Sequence, residues 1–83
     1  MRIPKRKVRT ALHIDQWIVE GYLHLLPGEE FASFSAGKRH RFIPVTSARI
    51  YAAADRRLIA TTDLLEVNGH RVMMFYPLAR DKG

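Results

Sequence analysis

Val8-Arg9-Thr10-Ala11-Leu12-His13-Ile14 and Trp17-Ile18-Val19-Glu20-Gly21-Tyr22-Leu23-His24-Leu25-Leu26, joined at Asp15-Gln16, decide the fold. In the first run Val8, Thr10, Leu12 and Ile14 share one parity, and Lys7, Arg9, Ala11 and His13 the other. In the second, Trp17, Val19, Gly21, Leu23 and Leu25 alternate with Ile18, Glu20, Tyr22 and His24. A period of two sends successive side chains to opposite faces, the pattern of a half-buried strand. A two-residue turn at Asp15-Gln16 then sets Ile14 against Trp17, Leu12 against Val19 and Val8 against Leu23. On the other face the same register sets Arg9 against Tyr22 and Lys7 against His24. One register predicts a hairpin with an apolar inside and a basic outside.

Eighty-three residues suffice for one small domain and not for two cores. A hydrophobic share of 47% predicts a folded globule rather than a disordered chain. Cysteine is absent, which excludes disulfides, thiolate zinc sites and cysteine nucleophiles and leaves stability to the core or to an oligomer. Fourteen Lys and Arg against eight Asp and Glu give a net charge of +6. That balance suits an anionic partner, whether nucleic acid, acidic lipid or an acidic protein patch, and it also serves plain solubility. The basic start Met1–Lys7 runs into an alternating stretch containing Arg9, His13 and Asp15, not into a continuous apolar signal core. No run reaches the length of a membrane-spanning helix. A cytoplasmic protein without membrane insertion is expected.

The remainder divides into a basic arm at 1–6, a domain at 7–78 and a polar tail at 79–83. Pro27-Gly28 ends the second strand. Residues 29–37 predict a short helical segment between strands two and three, with two acids at its start, Phe31 and Phe34 at i,i+3 spacing and Gly37 to close it. Lys38-Arg39-His40-Arg41 is the densest positive run. In Phe42–Tyr51 the apolar parity switches from Ile43 and Val45 to Ala48 and Ile50, which predicts a bulge near Thr46-Ser47. Residues 52–57 read as strand end and turn. Asn68-Gly69, flanked by Leu58–Val67 and His70–Leu78, predicts a type I′ hairpin pairing Val67 with His70, Leu65 with Val72 and Glu66 with Arg71. The last strand is apolar on both faces, which calls for cover from another subunit or from the 29–37 segment.

This order of strands and bends resembles a five-stranded SH3-like barrel, closest in layout to the Sm-like proteins. Val8–Leu12 through Asp15-Gln16 to Val19-Glu20-Gly21-Tyr22-Leu23 is similar to the opening Sm hairpin. Glu66-Val67-Asn68-Gly69-His70-Arg71-Val72 is similar to the closing one with its glycine-containing knuckle. The resemblance implies a mainly β, Sm-like barrel that assembles through its edges and binds RNA. The chain departs from the family where RNA contacts are made: Leu26–Arg41 lacks the Asp and Asn of the uridine-binding loop, and Asn68 stands where the knuckle arginine would be. Its helical segment also falls between strands two and three instead of before the barrel. Trp17–His24 with Phe42–Thr46 is similar, too, to short bacterial proteins, a likeness that carries no activity with it.

For chemistry the sequence offers little. His13, His24, His40 and His70 have no i,i+4 pair, so neither a metal nor another cofactor is expected. The acids form no paired-carboxylate arrangement, and the serines and threonines lack a nucleophile context, so an enzyme is not expected. The candidate anion or nucleic-acid residues are Lys5, Lys7, Arg9, Tyr22, His24, Lys38, Arg39 and Arg41: cations for phosphates and an aromatic ring for a base. The candidate interface residues are Leu64, Met73 and Phe75. The expected function is a self-associating interaction module with a homo-oligomeric or other protein partner; the alternative is RNA or DNA binding through the basic face.

Overall fold

The computed structural model describes residues 6–26, 28, 30–31 and 41–78. Five antiparallel strands, β1 (Arg6–Ile14), β2 (Trp17–Leu25), β3 (Phe42–Ala52), β4 (Leu58–Asn68) and β5 (Val72–Pro77), form one open sheet in the order β4-β3-β2-β1-β5. A 3-10 turn spans Gly69–Arg71, and Phe31 is helical. The helical segment expected at 29–37 falls outside the described residues except for Glu30 and Phe31. No helix among the described residues is long and apolar enough to cross a membrane.

The β1–β2 hairpin has the register its alternation predicts, from Ile14 opposite Trp17 to Lys7 opposite His24. Asp15 takes a left-handed backbone in the turn (φ 51°). Its carboxylate accepts hydrogen bonds from the Arg71 guanidinium at 3.1–3.3 Å, tying this turn to the 3-10 turn.

Every strand contributes to one core: Leu12; Val19, Leu23 and Leu25; Ile43, Val45 and Ala48; Val67; and Val72. The edge strands β4 and β5 thus reach the same interior, so the sheet is curled. Burying a leucine such as Leu23 is worth roughly 1.5–3 kcal/mol, which makes this cluster the main source of stability. Thr10 is the one buried polar residue among those described, and its hydroxyl donates to the Val8 carbonyl at 2.9 Å.

The curl is sharpest where β3 bulges. Glu20 pairs with Arg49 and Tyr22 with Thr46, so Ser47 and Ala48 together face Gly21. Ser47 adopts φ 50°, and the parity switch moves Ala48 to the core side beside Val45. Only a glycine fits opposite the bulge: a Cβ on Gly21 would lie 2.5 Å from Val45 Cγ1 and 2.8 Å from the Thr46 carbonyl oxygen.

Two expectations need correction. Asn68-Gly69 does not close a hairpin; β4 pairs with β3, and β5 with β1. The pairs Val67–His70, Leu65–Val72 and Glu66–Arg71 are therefore not formed. A type I′ turn needs positive φ at both central residues, whereas Asn68 is extended (φ −72°) and its side chain accepts the His70 N–H at 3.0 Å. That side-chain bond stabilises the 3-10 turn that carries the chain across to β1. Nor is the outer face of the first hairpin basic throughout. Ala11 and Ile18 are buried there, opposite Tyr76 and Tyr51, and only the end away from the turn carries cations.

Candidate nucleic-acid groove and open edges

The outer face of β1, β2 and β3 carries an open groove of about 830 Å³, lined by Arg6, Lys7, Arg9, Glu20, Tyr22 and Arg49 with Ser47 at the bulge. Alternation places Lys7 and Arg9 on this face of β1, and Glu20 and Tyr22 on this face of β2. The β3 bulge sets Arg49 directly opposite Glu20. Arg9 and Arg49 thus flank the Glu20 carboxylate, and Lys7 and Arg6 line the groove further along β1, away from the turn. Lys7 Nζ sits 4.7 Å from the centre of the Tyr22 ring, a cation–π contact that holds the ammonium over the groove. Arg9 lies 3.9 Å from Glu20, a half-exposed and weak pair. Arg49 forms no ion pair among the described residues.

Four of the residues singled out in the sequence therefore share one face: Lys7, Arg9, Tyr22 and His24. His24 stands beside the groove, its Nε2 2.7 Å from the Thr46 hydroxyl. Arg41 precedes β3, exposed and outside the groove lining, and its carbonyl accepts the Gly69 N–H. Lys5, Lys38 and Arg39 lie outside the described residues. Sequence reasoning missed Arg6, Arg49 and Ser47. Arg49 was detectable only by combining the predicted bulge with a β2–β3 register that no short turn fixes.

The interface candidates separate. Leu64 (55% exposed) projects from β4 and Met73 (65%) from β5. Phe75 instead faces inward, packed on the core with its ring 5.3 Å from Phe31. A bulge explains the split: His13 pairs with Met74 but Ile14 with Val72, so Met73 is extruded and Val72 and Phe75 fall on one side. Among the described residues neither β4 nor β5 has a second neighbouring strand. Near the first turn His13 Nε2 and the Tyr76 hydroxyl lie 3.2 Å apart. No group of three or more metal-ligating side chains gathers among the described residues.

Fold and surface together define a small all-β domain with a basic outer groove and two apolar edges. Compared with known proteins, the chain matches no family model, no curated relative and no solved structure.

Proposed function

We propose that this domain is a non-enzymatic, self-associating interaction module of the SH3-like, Sm-like barrel class. The strand order, the bulged third strand and the 3-10 turn before the last strand support that class. The observation that carries self-association is the chemistry of the two outer strands. Leu58–Asn68 is an 11-residue edge with neither proline nor a basic residue; Asp63 and Glu66 are its only charges, and Leu58, Ile59 and Leu64 are exposed on it. Soluble proteins protect such edges with lysine, proline or short strands, because an unpaired row of backbone groups templates another strand. At the opposite end of the sheet β5 exposes Met73, Met74 and Tyr76.

The occupant of each edge is a second copy: β4 of one chain laid against β5 of the next. The contact is heterologous, so it closes into a ring or continues as a filament. A protein partner joins the same edges by strand addition. Sedimentation velocity of the wild type and of L64K/M73K provides the test. A wild-type oligomer reduced to a monomer by the double variant, with unchanged circular dichroism, is the expected result. A wild type that stays monomeric up to its solubility limit overturns the proposal.

A further inference from the structure

We infer that the outer-face groove binds single-stranded nucleic acid, with Arg9 and Arg49 on phosphates and Tyr22 under a base. Three observations carry this. Arg49 of β3, far away in the sequence, joins Arg6, Lys7 and Arg9 of β1 around one concavity. An aromatic ring lies within that concavity, and Lys7 is already positioned over it. Finally, a volume of about 830 Å³ accommodates a few nucleotides of a single strand, as it would a drug-sized ligand, but not a duplex.

Basic grooves that track a backbone and offer an aromatic stacking surface are the general solution for single strands, because every base has a π-face. Arginine forks match phosphate oxygens, and the Ser47 hydroxyl adds a donor at the bulge. Lys7 and the base compete for the same face of Tyr22. On binding, the ammonium leaves the ring for a phosphate and the base takes its place. Glu20 is the only carboxylate in the lining and opposes binding.

The test is fluorescence anisotropy with labelled oligouridylate and oligodeoxythymidylate, and with polyphosphate as competitor, across a salt series. For single strands the log–log salt slope is about −0.7 per phosphate engaged. R9A/R49A should therefore flatten the slope by about 1.4 if each arginine holds one phosphate. Tyr22→Leu should weaken oligonucleotide binding about tenfold, the low end of what one stacked base contributes, and leave polyphosphate competition unchanged. Glu20→Gln should tighten binding at low salt. Arg56→Gly/Arg57→Ala removes two cations from the β3–β4 turn, outside the groove, and should leave the groove's binding intact; thermal melts confirm folding of each variant. No binding at low salt overturns the inference. So does equal weakening by the turn variant and R9A/R49A, which would make the effect one of net charge. Equal loss of oligonucleotide and polyphosphate in Tyr22→Leu overturns the stacking role.

Discussion

Gly21 sits where the sheet folds over itself, and its missing side chain is a packing requirement. The atoms nearest a Cβ there are Val45 Cγ1 and the backbone of Thr46 and Ala48. The valine can shift, but two strands held by ladder hydrogen bonds cannot. Gly21→Ala should therefore destabilise the domain by about 1–3 kcal/mol, the usual cost of overpacking, read from urea midpoints at constant m-value. A stability within error of wild type would mean that β3 has slack at the bulge. Ser47 presents the opposite case. It is exposed and holds φ 50°, a conformation that costs an L-residue roughly 1–2 kcal/mol and glycine almost nothing. Ser47→Gly should be neutral or stabilise by up to about 1 kcal/mol, because glycine's greater unfolded-state entropy offsets part of the relief. A loss of stability in the same urea measurement would show that the Ser47 side chain supports the bulge.

Among the elements, the turn between β4 and β5 distinguishes two accounts of one dipeptide. In a type I′ hairpin Asn68 would need positive φ, and glycine there would help. Here Asn68 is extended and caps the 3-10 turn through the His70 N–H. Asn68→Ala should therefore cost about 0.5–1 kcal/mol in thermal or urea unfolding and Asn68→Gly a few tenths, with Asn68→Asp close to wild type. A stabilised Asn68→Gly would restore the hairpin account. This turn also shows where sequence stops being legible. The β1–β2 register could be read because a two-residue connection and a clean alternation fix each other. The β3 bulge could be read because Ile43, Val45, Ala48 and Ile50 record the parity switch directly. Asn68-Gly69 misleads because turn preference is local, whereas the partner of β5 is chosen by the core, which Val72 enters opposite Ile14 while Phe75 packs on it opposite Leu12. The same limit hid Arg49 from the candidate site: its place opposite Glu20 is a cross-strand fact that depends on β2–β3 pairing.

At the scale of the whole molecule the two proposed surfaces lie on different parts of one curled sheet. The groove belongs to β1, β2 and β3, and the association edges are β4 and β5. Their physics also differs. Edge pairing rests on backbone hydrogen bonds and buried apolar side chains, which salt does not screen, whereas phosphate contacts weaken steeply as counterions compete. Raising salt toward 1 M should therefore release oligonucleotide while the sedimentation coefficient of the assembly stays constant. L64K/M73K should do the converse, giving a monomer that still binds one short oligonucleotide at low salt. A longer oligonucleotide adds a further consequence. Grooves repeated around an assembly raise the effective concentration of each successive contact, so the wild type should gain far more affinity from added length than the monomeric variant. The gain should vanish once the strand is too short to reach a second groove. Equal length dependence in the two proteins would show that the grooves act singly, and loss of binding in a folded monomer would show that the groove is completed only by its neighbour.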